Sequence, residues 1–401
     1  MAGSHDIAYA PIKVDRATVA ALCANLVGIG LARFGYTPLI PALIAANWFS
    51  PSQSVYLGAA NLVGYLAGAL GARLLAARTG SVVALRAAMV LTAASLVACA
   101  FRFGFAWFFL WRFVSGCTGG VLMALAAPIV LAALPVARRG IAGGVIFTGV
   151  GLGIAASGTF VPLLMQWGLV ETWLGLAAIA AGLTALTWTG WPASVSGARR
   201  LARTVQRRPK MLQALYLEYA LNAVGLVPHM VFLVDFVARG LGWGLRTGGL
   251  YWIIFGAGAV VGPLLAGHVG DRIGFRTALR LAFLIQMLAV VVPLVTISGP
   301  LIALSSLVVG AFVPGILAIM IGRTRELVPH DPSGQAAAWS CCTTAFAVGQ
   351  AIAGYGFSYV FARTQGDHAI LFGLGAIALF LALVIDFTAA STLSERDRSI
   401  R

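Results

Sequence analysis

Charge is scarce in this sequence: only 10% of its 401 residues are charged and 12 are acidic, while 60% are hydrophobic and the mean hydropathy is +0.94. Soluble domains carry about a quarter of their residues charged, so the composition excludes one and points to an integral membrane protein. Enzyme signatures are missing too. There is no HExxH, no GxSxG and no pair of carboxylates at helical spacing within the apolar runs. No enzyme, metal or cofactor is therefore expected. The five cysteines (Cys23, Cys99, Cys117, Cys341, Cys342) lie in apolar runs without CxxC or Cys/His spacing, which reads as reduced packing residues. The net charge of +15 would suggest nucleic acid for a soluble protein, but in a polytopic chain basic residues mark cytoplasmic loops. Residues 1–16 are polar, and the first apolar run is long and lacks a small-residue cleavage site, so no cleaved leader is expected.

What the sequence has instead is long apolar runs, each near the roughly 20 residues that cross a bilayer. Twelve are separated by polar or Gly/Pro-rich breaks, at 17–46, 54–77, 82–101, 105–134, 141–166, 171–191, 212–238, 246–269, 277–297, 300–322, 335–361 and 368–390. With the amino terminus in the cytoplasm, 21 basic residues fall inside and 4 outside, leaving Arg33 and Arg112 within the bilayer. An even number of spans returns the carboxyl terminus to the cytoplasm. The expected architecture is an all-α membrane protein of twelve transmembrane helices in two pseudo-symmetric six-helix bundles, in the cell inner membrane. Its parts are a tail (1–16), a first bundle (17–191), a basic linker (192–211), a second bundle (212–390) and a second tail (391–401). The linker PASVSGARRLARTVQRRPK has six basic residues and no acidic one, which suits contact with anionic lipid headgroups.

Internal repetition supports two bundles. The segment RLLAARTGSVVAL after the second span and GHVGDRIGFRTAL after the eighth align Arg78 with Arg272, Gly80 with Gly274 and Leu85 with Leu279, at one offset of 272 − 78 = 194 residues. Parallel repeats of six spans place a binding site between them near the midplane.

Twelve spans, a basic central loop and a GxxxDRxGxR loop resemble the major facilitator superfamily over nearly the whole chain. That resemblance casts Gly267, Asp271, Arg272, Gly274 and Arg276, with Arg78 and Gly80 of the first copy, as a cytoplasmic gate. The first copy departs from the pattern, with Ala77 where the acid should stand. WRFVSGCTGG in the fourth span resembles the arginine motif of proton-linked members, which implies that Arg112 takes part in coupling. An arginine keeps its proton, so it would act on a nearby acid. GVGLGIAASGTFVP in the fifth span resembles the antiporter motif weakly, because Gly158 is separated from Pro162; helix packing through small residues is the preferred reading. The first-span stretch GIGLARFGYTPLIP, followed by AANLVGYLAG, is similar to the bacterial branch labelled YbfB/YjiJ.

Spans one, four, seven and ten line the central cavity in that superfamily, and most of the awkward residues here fall on them. They are Asn25, Arg33 and Tyr36, then Arg112, then Glu218, Asn222, His229 and Asp235, and finally Pro314. A full charge at membrane depth needs a partner, a cavity or a ligand. At about 1.5 Å per residue, Arg33 lies roughly 24 Å into its span, Asp235 about 35 Å along its own and Arg112 roughly 10 Å from the outer start of the fourth. That arithmetic predicts an outer-half cluster in which Asp235 pairs with Arg33 or Arg112 across the two bundles. His229 and Glu218 are candidate proton acceptors, and Asp386 reads as structural. Arg33, Tyr36, Arg112, Asn222, His229, Asp235 and Glu218 are thus the expected substrate or coupling residues. The expected function is secondary active transport by alternating access of a small anionic or zwitterionic organic solute, coupled to protons, with export favoured over import, by a monomer. The alternative is a non-transporting sensor or scaffold on the same fold, which would carry large soluble appendages.

Overall fold

The computed structural model describes residues 15–192, 210–329 and 331–399, and these contain helices and no strand. The basic linker, apart from its ends, and residues 1–14 lie outside them. Twelve helices are long and apolar enough to cross a membrane. We number them α1 (Arg16–Tyr36), α2 (Pro51–Thr79), α3 (Ser81–Ala98), α4 (Phe105–Ala133), α5 (Val136–Leu164), α6 (Leu169–Leu186), α7 (Lys210–Gly240), α8 (Gly244–Ile273), α9 (Phe275–Val295), α10 (Gly299–Leu327), α11 (Pro332–Arg363) and α12 (His368–Ser399). In hydrocarbon a helix satisfies its own backbone polar groups, which is why each apolar run takes this form. The segment from 391, expected as a tail, continues the last helix to Ser399. The first run, 17–46, whose glycines and prolines between Gly28 and Pro41 read as a bend, is interrupted in that stretch. Wide π-turns at Leu26–Leu31 and a 3-10 turn at Phe34–Tyr36 precede Pro38, and a short helix, Leu39–Ala45, completes the run.

Local signals fix the ends. Asp15 accepts a hydrogen bond from the Thr18 amide (2.8 Å) at the start of α1. Ser50 and Gln53 form a reciprocal capping box ahead of Pro51 at the start of α2. Gly80 and Gly274, at φ 86° and 82°, end α2 and α8 in a backbone conformation that a side chain would strain.

The offset seen in the loops recurs in the packing. A β-carbon added at Gly64 or Gly68 of α2 would lie 2.1 Å or 1.9 Å from the carbonyl oxygens of Phe113 and Cys117 in α4. At Gly258 and Gly262 of α8 the same addition meets Leu307 and Ala311 of α10 at 2.1 and 1.9 Å. Both the glycines and the carbonyls differ by 258 − 64 = 307 − 113 = 194 residues. Close helix contact through small residues therefore occurs twice, at equivalent positions.

Most of α1 and α7 is enclosed, 78% and 83% of their apolar windows against 39–56% elsewhere, so these two helices form the centre. The first six helices meet the last six mainly through α5 against α8 and α2 against α11. In the α5–α8 seam, Gly158 approaches Gly249 and Ile253, Gly256 approaches Ala155, and Gly151 approaches Val260. The glycines of the fifth span thus serve packing, those facing α1 as well: a β-carbon on Gly30 would sit 2.5 Å from the Gly153 α-carbon.

The molecule has two ends, and they differ. We call the end with the turns at Gly80 and Gly274 the linker end and the opposite one the far end. Three hydrogen bonds join the two sets of helices among the described residues: Arg33 Nη2 to Gln350 Oε1 (2.7 Å), Thr37 Oγ1 to the Met230 carbonyl (2.7 Å) and Trp252 Nε1 to Ser157 Oγ (3.1 Å). All lie at mid-helix or beyond it toward the far end, where Tyr56 also meets Tyr355 at 6.1 Å between ring centroids. At the linker end, charged groups bond within their own set.

Candidate functional site: a cationic pocket between the helix sets

The breaks in α1 set up a pocket at the molecular centre. Its walls are Arg33, Phe34, Tyr36 and Thr37 from α1 and the turn after it, Gly58, Asn61 and Leu62 from α2, Arg112 from α4, and Met230 and Val231 from α7. Met230 and Val231 belong to a π-turn, Pro228–Phe232, so both central helices are irregular where they face the pocket. Such turns free backbone carbonyls from the helix ladder, and Met230 offers its own to Thr37.

Two guanidinium groups dominate the chemistry. Arg33 is half-buried, lies 4.9 Å from the Tyr65 ring centroid and 5.3 Å from that of Phe34, and donates to Gln350. Arg112 is 1% exposed, stands 4.1 Å from the Tyr36 ring centroid and donates through Nη1 to the Ala32 carbonyl (2.7 Å). Tyr36 is held in turn by its hydroxyl, which donates to the Ser54 carbonyl (2.7 Å). Neither arginine has a carboxylate partner among the described residues, and the Nε atoms of both are buried without a hydrogen bond. Cation–π contact and neutral acceptors compensate part of each charge and leave the rest for a ligand.

The predicted outer-half cluster does not form. Asp235 is fully buried but pairs with Arg239 one turn along α7 (2.5 and 3.0 Å) and with His368 at the start of α12 (2.9 Å). A cation four residues away on the same helix reaches the acid with no interface to cross, so neither Arg33 nor Arg112 is needed. His229 also turns away from the pocket: its Nε2 meets Ser305 Oγ of α10 (2.9 Å) and its ring sits against Phe372 of α12. Asn222 donates to Gln286 of α9 (2.8 Å). Glu218, 2% exposed, lies toward the linker end among Asp386, Arg323, Arg276 and Arg280. Of the seven expected residues, Arg33, Tyr36 and Arg112 come together, while Asn222, His229, Asp235 and Glu218 lie within the last six helices. Pro314 is buried in α10, a helix that contributes no wall to the pocket, whereas α2 does.

Gln350, Asn61 and Thr37 were missed. Gln350 is the lone amide of AFAVGQAIAG in α11, and Asn61 stands in the quoted stretch AANLVGYLAG. Polar isolation in an apolar run is the available signal for Gln350 and Asn61, which lie on spans eleven and two, whereas Thr37 lies on span one within GIGLARFGYTPLIP.

At the linker end Asp271 and Arg272 are exposed and without an ion pair among the described residues, as is Arg78. Arg276 faces Asp386 of α12 at 3.9 Å, and Arg280 donates to the same carboxylate. The Phe275 amide donates to Glu326 (2.9 Å), and Arg323 pairs with Glu326 (2.8 Å). In the first set Arg86 donates to the Trp188 carbonyl (2.9 Å) and covers its ring. Gly267 lies beside Ala318 of α10. Asp386 thus ties α9 to α12.

Comparison with known proteins completes the description. The family described as "Uncharacterised MFS-type transporter YbfB" matches residues 25–387. No curated protein sequence matches. Among solved structures the chain is similar to a D-xylose-proton symporter, with a TM-score of 0.71 at 17% identity over 91% of this chain and 96% of that one. It is also similar to a bacterial homologue of the human lysosomal transporter Spinster in an inward-facing and occupied conformation, with a TM-score of 0.72 at 16% identity over 93% and 96%. At these identities the likeness establishes the fold.

Proposed function

We propose, from the premise that the chain belongs to the YbfB-type family of major facilitator superfamily transporters, that its central pocket carries a small anionic or zwitterionic organic solute. As a member of that family it is a multi-pass membrane protein and a secondary transporter of a small molecule. The observation that supports the solute class is the pair Arg33 and Arg112, two guanidinium groups on one pocket with no carboxylate beside them. A solute carboxylate there would replace lost hydration with charge-assisted hydrogen bonds, a strong interaction in a dry site.

Alternating access is read from the two ends. Helices α1 and α7 and helices α2 and α11 meet at mid-depth and toward the far end, α5 and α8 meet along their seam, and among the described residues no hydrogen bond or ion pair joins the gate residues of the first set to those of the second. Basic residues concentrate at the linker end, so we assign it to the cytoplasm of a cell inner membrane, with both termini inside. On this reading the conformation faces the cytoplasm, and rocking of the two six-helix sets about the α5–α8 seam exposes the pocket to the other side. Residues 17–191 and 212–390 are the rocking units, the protein works as a monomer, and Gly267, Asp271, Arg272, Gly274, Arg276, Arg78 and Gly80 close the cytoplasmic gate. Coupling to protons, with export favoured, is part of the same proposal. Its carrier on this chain is Glu218, a carboxylate 2% exposed that lies among Arg323, Arg276 and Arg280.

The test is flux in proteoliposomes under an imposed pH gradient, over a panel of organic anions and zwitterions, beside Arg33→Ala. Gradient-driven flux of an anion or zwitterion, lost in the variant, is the expected result. Flux indifferent to the gradient overturns the coupling, and flux confined to cations overturns the solute class.

A further inference from the structure

The residues that line the pocket carry a more specific message than their charge, because three of their polar atoms are buried and unbonded. Two are donors, Arg33 Nε and Arg112 Nε, and one is an acceptor, Asn61 Oδ1. The orientation of the Asn61 amide follows from its surroundings. Its other terminus contacts the Arg112 carbonyl at 3.2 Å and Ser115 Oγ at 3.4 Å. A carbonyl only accepts, so the amide nitrogen faces Arg112 and the oxygen is left over. Asn61 is 1% exposed, and an amide oxygen buried without a donor is costly.

A ligand that completes this set needs an anionic group for the two guanidinium edges and a hydrogen-bond donor beside it for Asn61. That donor is either an ammonium or a hydroxyl. Charge decides between them. An ammonium would stand among two guanidinium groups in a pocket with no carboxylate among the described residues. The acids of α7 are elsewhere: Asp235 is held by Arg239 and His368, and Glu218 is twelve residues from Met230, about 18 Å along the helix. A hydroxyl meets the same acceptor without that repulsion. The hydroxyl of Thr37 donates to Met230 and the hydroxyl of Tyr36 to Ser54, so each keeps a lone pair for further ligand hydroxyls.

We propose that the pocket takes a small hydroxycarboxylate, its carboxylate on Arg33 and Arg112 and a neutral hydroxyl on Asn61, in preference to an amino acid of the same skeleton. This rests on the anion reading given above and narrows it.

The experiment uses the full chain purified in detergent and calorimetric titration with two matched series. One is propionate, lactate, alanine and propane-1,2-diol; the other is hexanoate, gluconate, norleucine and sorbitol. In at least one series the hydroxy acid is expected to bind about tenfold more tightly than the plain acid, the worth of one hydrogen bond to a buried acceptor, and more tightly than the amino acid or the polyol. Asn61→Leu should bring the ratio of hydroxy-acid to plain-acid affinity from about tenfold down to about one, whatever it does to the affinity for the plain acid itself; a ratio kept near tenfold in the variant overturns the inference. Equal binding of plain and hydroxy acids overturns this inference while keeping the anion reading, as does tighter binding of the amino acid. Binding of neither carboxylate in either series overturns both. Where Asn61→Leu fails to fold, the series on the unaltered protein decides alone.

Discussion

The first six helices and the last six share a packing plan and divide the chemistry unequally. The glycine contacts of α2 with α4 and of α8 with α10 coincide at an offset of 194 residues. The offset maps Arg33 onto Val227, Arg112 onto Ser306 and Asn61 onto Phe255. The first set keeps two intramembrane cations without acids, whereas in the second Asp235 and Asp386 each hold cations of their own set. A charge satisfied inside one rigid set has no work left to do between sets. Charges left unsatisfied at the interface mark where a ligand can supply the missing group.

If the packing plan is shared, damage to it should be symmetrical. Gly68→Val and Gly262→Val put a side chain into carbonyls that an added β-carbon would approach at 1.9 Å in both cases. Each is expected to cost at least about 3 kcal/mol, enough to abolish a monodisperse purified protein. Gel-filtration of the two variants beside the unaltered protein reads this. Loss in one with a normal profile in the other would break the equivalence of the two sets.

The chemistry, by contrast, should split function from stability. Arg33→Leu removes a half-buried cation with one neutral partner; flux is expected to fall about a hundredfold, the loss of a charge-assisted contact of about 3 kcal/mol. Thermal stability should hold or rise, as at sites where function is kept at the expense of the fold. Asp235→Asn should do the reverse. It strips Arg239 and His368 of their acid and is expected to lower stability by about 2 kcal/mol, visible as a lower Tm, with solute affinity unchanged. Should Asp235→Asn abolish binding while keeping its Tm, the assignment of charges to the two sets is wrong.

How far this division could be read from residues alone depends on range. Helix number, limits and the repeat were legible because they rest on local hydrophobicity and on turn glycines such as Gly80 and Gly274. Arg33, Tyr36 and Arg112, each costly or unusual in lipid, could be singled out from the sequence, and they share the wall of the candidate pocket. The partner of Asp235 was not legible. Depth arithmetic gives a position along one axis and no rotation about the helix, so it placed Asp235 level with Arg33 while its side chain is held by Arg239 and His368. The same blindness to rotation put His229 and Asn222 in the cavity, while Asn61, on a span outside the four taken as cavity-lining, belongs to its wall. The interruption of α1 was legible as a bend, from the glycines and prolines of GIGLARFGYTPLIP, while its π-turn form was not, because a π-turn has no composition of its own.

The smallest expected effect tests the contact that closes the far end. Thr37 donates to the Met230 carbonyl across the two sets at 2.7 Å, both residues being buried. The carbonyl lies in a π-turn whose hydrogen-bond ladder is already irregular. Thr37→Val keeps the branched shape and removes only the hydroxyl, so packing stays and one buried acceptor loses its donor. The cost falls on the conformation closed at the far end, because opening that end lets the carbonyl reach water. About 1 kcal/mol is expected, which is roughly a fivefold shift toward opening. Spin labels on Tyr56→Cys and Tyr355→Cys, at positions that touch across the sets, would report it as a larger share of long distances in double electron resonance. A shift of the same size in Thr18→Val, a change made within the first set alone, would show that the labels respond to general loosening and that Thr37 does not bias the two states.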